Sequence, residues 1–244
     1  MLISGDKSFE HNGYTLEHKW TIKKIPGLVL WLEPSTKNIV YGVDGRVNTW
    51  RDTSGKLNSA FQADVADMPL LSPTLLNNRN YMVFDDDKCL VTSLNLDTFT
   101  IFTVCYSDDN QFVYEYGDPG STTGFYLSGD ANSILVRNGS SASAKNAGYN
   151  WNMNKGWRIL SHFYGGTHST HSLRVNNSSV YLTNYLGYTG NPGNLGASQN
   201  FYIGSQATGN GFNGGLAEMA VFDRKLEQFE RDMVHIYLSS KYGI

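Results

Sequence analysis

The sequence predicts an all-β protein, a two-sheet antiparallel β-sandwich closed by a single C-terminal α-helix. Short runs of β-branched and aromatic residues recur between clusters of Gly, Asn, Asp and Ser, the spacing of antiparallel strands. Only 17% of the residues are charged, while 25 glycines and 15 tyrosines favour turns and strands over helices. Helical periodicity occurs in one place, where Leu226, Phe229, Met233, Val234, Tyr237 and Leu238 fall at three-and-four spacing and form one apolar stripe. A chain of 244 residues with 40% hydrophobic content can bury one substantial core, so one sandwich domain is expected over 25–244, preceded by an arm over 1–24.

In the arm, Tyr14, Leu16, His18, Trp20 and Ile22 alternate with polar residues, a strand pattern entered through an Asn12-Gly13 turn. It reads either as an edge strand of the sandwich or as an arm that pairs with a neighbouring subunit, with Tyr14, Leu16, Trp20 and Ile22 as the candidate contact residues. Trp31 lies in the apolar run that follows Pro26, and Trp50 ends the run 47–51, so both indoles are expected to pack in the core. Asp52 and Ser54 are placed to accept backbone N–H bonds in the turn after Trp50.

Tyr81–Phe84 leads into an acidic turn, and 99–106 is the best central-strand candidate because it is too apolar to face water on either side. Further short strands are expected over 111–116, 124–128, 133–137, 157–164, 171–176 and 201–204. The apolar run Leu216–Phe222 is a buried strand, after which a helix is expected over 224–242. Glu227 is a poor N-cap, which leaves Asp223 for that role, and Gly243 ends the helix.

Several of these segments carry a resemblance. Pro26-Gly27-Leu28-Val29-Leu30-Trp31-Leu32, the turn Trp50-Arg51-Asp52-Thr53-Ser54-Gly55, Phe99–Val104, Phe201-Tyr202-Ile203-Gly204, and Phe212 to Gly243 with Ala217, Glu218, Asp223, Arg224 and Lys241-Tyr242-Gly243 are similar to motifs of laminin-G-like, concanavalin A-like lectin domains. The resemblance spans about Pro26 to Ile244 and is weakest over 117–149. It implies a jelly-roll sandwich with the helix packed on it, so the closing stretch identifies the fold and carries no chemistry.

The net charge of −3 and the absence of any Lys/Arg cluster exclude the basic face that nucleic-acid binding requires. No apolar run approaches the roughly 18 residues of a membrane helix, and the N-terminus lacks the profile of a secretory signal. Cys89 and Cys105 sit in apolar runs and are expected to be buried free thiols, which suits a reducing compartment. A lectin-like domain without an export signal fits a virion component, including that of a phage. The alternative location is extracellular after loss of a signal peptide.

Asp85, Asp86 and Asp87 are the weak calcium candidates, because calcium needs six to eight oxygens spread over several loops and a lone acidic turn is ordinarily just solvated. No other cofactor is expected. Asp108 and Asp109 form a second acidic turn. His162, His168 and His171 are close in sequence but lack a nearby Cys or paired acid, so they read as ordinary surface or hairpin histidines. Glycoside hydrolysis needs two positioned carboxylates, and the nearest approach is Glu115 with Asp118, at the end of a strand entering a turn.

Glycan binding needs aromatic rings beside amide and carboxylate groups, and Tyr149, Trp151, Tyr185, Tyr188 and Asn191 are the candidates, set around Asn-rich loops. The functional expectation is therefore a non-enzymatic structural protein of the virion surface, a capsid decoration or tail-associated component that binds other virion proteins or itself. The alternative is a carbohydrate-binding module for cell-surface glycans, and a glycoside hydrolase is the third reading.

Overall fold

The structure is a computed structural model that describes residues 9–11, 14–16, 21–85, 87–107, 112–128, 133–147, 156–196, 198–207 and 209–244. The strands in its first half are β1 (Phe9–His11), β2 (Tyr14–Leu16), β3 (Leu28–Leu32), β4 (Ile39–Tyr41), β5 (Val47–Trp50), β6 (Ala60–Phe61), β7 (Leu70–Leu71), β8 (Met82–Phe84), β9 (Leu90–Leu94) and β10 (Phe99–Ser107). There follow β11 (Phe112–Gly117), β12 (Thr123–Ser128), β13 (Ser133–Asn138), β14 (Ser141–Asn146), β15 (Arg158–Tyr164), β16 (Ser172–Val175), β17 (Ser178–Ser179), β18 (Thr183–Thr189), β19 (Gln199–Ile203) and β20 (Gly214–Phe222). The helix α1 (Gln228–Tyr242) closes the chain.

Two antiparallel sheets form a sandwich. The smaller runs β17-β16-β15-β10-β20-β8-β7, with β3 also paired to β20; the larger runs β18-β14-β13-β12-β11-β19-β9-β6-β5-β4. Between them lies a core that includes Leu30, Trp50, Phe84, Phe99, Ile101, Tyr114, Phe125, Phe201, Leu216, Met219 and Val221. Phe99 and Phe125 stack across the two sheets at a centroid distance of 3.9 Å. A second cluster lies on the outer face of the smaller sheet, where α1 sets Val234, Leu238 and Tyr242, joined by Leu226 just before it, against Trp31, Phe102, Val104, Ile159 and Phe222.

A bulge decides what meets the helix. Along β20, Val104 pairs with Glu218 but Cys105 pairs with Leu216, so Ala217 is the extra residue. Leu216, Met219 and Val221 consequently point into the sandwich core, whereas Ala217, Ala220 and Phe222 join the helix cluster. Glu218 is also turned to the helix, where it meets Trp31, Lys241 and Tyr242.

The expected roles of Trp50, Asp52 and Ser54 hold. Trp50 is fully buried, and Asp52 accepts N–H bonds from Trp31 at 2.9 Å, Ser54 at 2.8 Å and Asn58 at 3.1 Å. Gly243 ends α1 in the left-handed conformation with φ 72, its N–H bonded to the Ser239 carbonyl.

Some expectations need correction. The helix starts at Gln228 with Glu227 as N-cap, neither at 224 nor with Asp223 as its cap. The reason is Glu230, whose carboxylate accepts the Glu227 N–H at 2.9 Å and is itself gripped by Arg224 at 2.8 Å. Phe229, placed in the apolar stripe, is exposed instead. Both cysteines are free thiols, but only Cys105 is buried; Cys89 is half-buried, and Gln62 bonds its sulfur at 3.2 Å.

The arm is not one continuous strand. β1 and β2 pair as a hairpin with Phe9 opposite Leu16, while Ile22 lies in a 3₁₀ turn (Ile22–Lys24) and is wholly buried in the helix cluster. Ile22 therefore belongs to the domain's own core and is not available as a partner contact. Trp20 lies outside the described residues.

Candidate functional site

Of the sequence-predicted glycan candidates, the three among the described residues fall on or just beyond β18. Tyr149 and Trp151 lie outside the described residues. Tyr185 and Tyr188 are half-buried on β18, the edge strand of the larger sheet, and the Arg137 guanidinium sits 5.1 Å from the Tyr188 ring centroid. Asn191 is exposed just beyond that strand, and its Oδ1 accepts the His168 N–H at 2.8 Å. Asp85 and Asp87 are exposed, while Asp86, Asp108 and Asp109 lie outside the described residues. Among the described residues no three His, Cys, Asp or Glu side chains come together as a metal site.

The larger sheet builds a different site. On β11, Tyr114 and Tyr116 point into the core, so Glu115 between them points to the outer face. There it stands in register with Tyr202 of β19 on one side and Tyr126 of β12 on the other. This part of the outer face is a groove of about 660 Å³ lined by Glu115, Asp118, Tyr202, Asn200, Ser93, Ser198 and Gln206, among others.

A glycine shapes its rim. At Gly117, with φ +67, an added Cβ would lie 2.3 Å from the Thr123 carbonyl oxygen, so the chain can turn tightly here only without a side chain. That turn places Asp118, which accepts the Ser121 N–H at 3.2 Å.

Glu115 is the floor of the groove, 5% exposed. Its Oε1 accepts the Ala207 N–H at 3.0 Å and its Oε2 faces the Gln206 amide at 3.5 Å. Burial raises the affinity of its carboxyl for a proton, and nearby Asp118 adds to that, while the Ala207 and Gln206 bonds oppose it. Asn200 Nδ2 donates to the Tyr202 hydroxyl at 3.2 Å, which leaves that hydroxyl's own hydrogen for another acceptor. The groove offers carboxylates, amides, hydroxyls and one tyrosine, and no Lys, Arg or His lines it among the described residues.

A second constellation lies between the sheets. Of the two expectations, surface or hairpin histidines, the hairpin one holds for His162 and His171, which lie on and beside the β15–β16 hairpin and are wholly buried. Tyr114 Oη is 3.0 Å from His162 Nδ1, His162 Nε2 is 3.0 Å from His171 Nε2, and His171 Nδ1 is 2.9 Å from Ser143 Oγ. Ser143 Oγ lies 2.7 Å from His168 Nδ1, whose Nε2 is 3.0 Å from Asn184 Oδ1. Burial drives the His162 imidazole down to about 3, and burial together with the charges of His162, Lys145 and His168 drives His171 well below the ordinary range.

Sequence reasoning named Glu115 with Asp118 and the three histidines, but neither set Tyr202 beside Glu115 nor buried His162 and His171. The signals were parity signals: Tyr202 alternates with the inward Phe201 and Ile203, Glu115 with the inward Tyr114 and Tyr116, and His162 shares its face with Leu160 and Tyr164.

No protein-family model matches the chain, and no curated protein matches it either. Solved structures do resemble it. The binding domain of botulinum neurotoxin DC, in complex with SialylT, superposes with a TM-score of 0.57 at 14% identity, over 89% of this chain and 52% of that one. Domain 4 of AbnA, a GH43 extracellular arabinanase from Geobacillus stearothermophilus, in complex with arabinotriose, gives 0.58 at 8% identity over 83% and 95%. The binding domain of Paraclostridial mosquitocidal protein 1 gives 0.55 at 12% identity over 89% and 53%. The chain thus spans about half the length of the neurotoxin domain and nearly all of the arabinanase domain. At these identities the likeness is one of fold alone, a β-sandwich of two antiparallel sheets.

Proposed function

We propose that this chain is a non-enzymatic carbohydrate-binding domain whose ligand site is the outer-face groove around Glu115 and Tyr202. The observation that carries the reading is the groove itself, a polar trough of about 660 Å³ with a tyrosine beside a nearly buried carboxylate. A sugar presents an apolar ring face and a rim of hydroxyls, and this lining supplies an aromatic ring for the first and fixed acceptors and donors for the second. Both Glu115 oxygens are already held by Ala207 and Gln206, which suits a carboxylate that orients a ligand better than one that attacks it. Among the neighbours of like fold, a neurotoxin binding domain was solved in complex with SialylT and an arabinanase domain in complex with arabinotriose, which supports the same reading. A glycan array tests it: at least one oligosaccharide should be retained by the wild-type chain and lost by the Tyr202→Ala variant. No retained glycan would end the proposal.

A second reading, assembly into a larger particle such as a virion surface, is favoured by one feature. Among the described residues β1 and β2 pair only with each other, so this hairpin has edges open to a neighbouring chain or to another protein of the particle. Deletion of residues 1–20 should then lower the oligomeric state with the sandwich intact; an unchanged molar mass by light scattering would count against it.

A further inference from the structure

Strand β18 is attached irregularly. Ser143 pairs with Thr189 and Lys145 with Asn184, so residues 185–188 bulge out of the register opposite Ala144, with Leu186 and Gly187 both at positive φ. What reaches this bulge from inside the sandwich is the histidine chain, which ends on Asn184 Oδ1.

The hydrogen positions in that chain follow from chemistry. Asn184 Oδ1 only accepts, so His168 Nε2 carries the hydrogen and, in the neutral ring, Nδ1 accepts from Ser143. The Ser143 oxygen then accepts from His171 Nδ1–H, His171 Nε2 accepts from His162 Nε2–H, and His162 Nδ1 accepts from the Tyr114 hydroxyl. In this arrangement each ring carries one proton and every link is satisfied. A second proton on His171 sets N–H against N–H at the 3.0 Å contact with His162. A shift of the His162 hydrogen to Nδ1 relieves that contact only by making the Tyr114 hydroxyl an acceptor, so that its own buried hydrogen loses the bond to His162.

Among the described residues no group around the pair absorbs the charge. β14 contributes Ser143 and Lys145, whose ammonium bonds the His171 carbonyl at 2.6 Å; β11 contributes Tyr114; β15 contributes Tyr164; and the 3₁₀ turn His168–Thr170 contributes His168. β10 and β12 contribute the rings of Phe99 and Phe125, and β10 also the Cys105 thiol near Tyr114. Among the described residues no carboxylate acts on either imidazole.

We propose that this chain of hydrogen bonds is an acid-sensitive latch that holds the β18 bulge, with Tyr185 and Tyr188 on it, against the sandwich at neutral pH and releases it in mild acid. The released segment carries aromatic and hydroxyl groups at the sheet edge, so acid frees the two tyrosine rings that are half-buried at pH 7.5.

Hydrogen exchange followed by mass spectrometry on the full chain tests it. After correction for intrinsic rates, a peptide covering 183–190 should exchange roughly ten-fold faster at pH 5.5 than at pH 7.5, as one proton bound below about 6.5 requires. Over the same minutes β20 should stay protected. In His168→Ala, on the half-buried end of the chain, the peptide should already exchange fast at pH 7.5. Equal exchange at the two pH values, a rise only in step with β20, or wild-type protection in His168→Ala would each overturn the proposal. Nitrogen-15 NMR of the wild-type imidazoles needs no variant: His162 and His168 should be Nε2–H tautomers and His171 the Nδ1–H tautomer at pH 7.5, and any other assignment would refute the latch.

Discussion

Lys241 Nζ lies 2.6 Å from Glu218 Oε2 beneath the C-terminal helix, and that glutamate is only 1% exposed. Trp31 Nε1–H donates to its other oxygen at 2.7 Å, the Tyr242 hydroxyl lies 2.7 Å from Oε2, and Glu33 shares the lysine at 2.7 Å. Burial raises the Glu218 carboxyl despite the lysine beside it, and the carboxylates of Glu218 and Glu33 with the Tyr237 hydroxyl raise the lysine despite its own burial. The pair thus fixes how α1 docks on β20 and β3 more than it adds net stability.

The two partners should not be equivalent. Lys241→Met strands a buried carboxylate and should cost roughly 3–5 kcal/mol at pH 7. Glu218→Gln keeps an acceptor for Trp31 and leaves Lys241 with Glu33, so about 1–3 kcal/mol is expected. Urea unfolding of both variants checks the order, and a larger loss for Glu218→Gln would contradict it.

Acid should destabilise the whole domain through His162 and His171. Both are held neutral by burial, with folded values below the ordinary 6.5, so the unfolded chain takes up protons first as pH falls. No penalty exists above about pH 6.5; below it each histidine removes about 1.4 kcal/mol per pH unit, down to its folded value. Urea midpoints measured between pH 7.5 and 4.5 should decline, and His162→Gln should flatten the slope by one proton.

Gly204 should resist substitution. It sits at φ +88, and a Cβ there would lie 2.1 Å from Phe84 Cδ1 in the core. Gly204→Ala combines left-handed strain with overpacking and should cost roughly 2–4 kcal/mol, read as a lowered Tm.

What was legible in the sequence was local. Trp50 with Asp52 and Ser54, the stripe Val234 and Leu238, and Gly243 at the helix end depend on neighbours a few residues away, and the structure places them as expected. Glu218 with Trp31 spans 187 positions, and the Tyr114–His162 contact spans 48, so neither is visible without the register of the sheets. The same holds for the groove: Glu115 and Tyr202 become neighbours only because β11 and β19 pair. The candidates Tyr185 and Tyr188 were chosen for their flanking turn residues, and the structure puts them on an edge away from that groove.

The central claim is that Tyr202 and Glu115 contact a sugar. The direct measurement is calorimetric titration of an oligosaccharide retained on the array into the wild-type chain and into Tyr202→Ala, with Tm recorded for both. Saturable binding by the wild type, a loss of about ten-fold or more in Tyr202→Ala, equivalent to about 1.4 kcal/mol, and an unchanged Tm are predicted. Equal affinity in the two proteins would contradict the assignment of the groove.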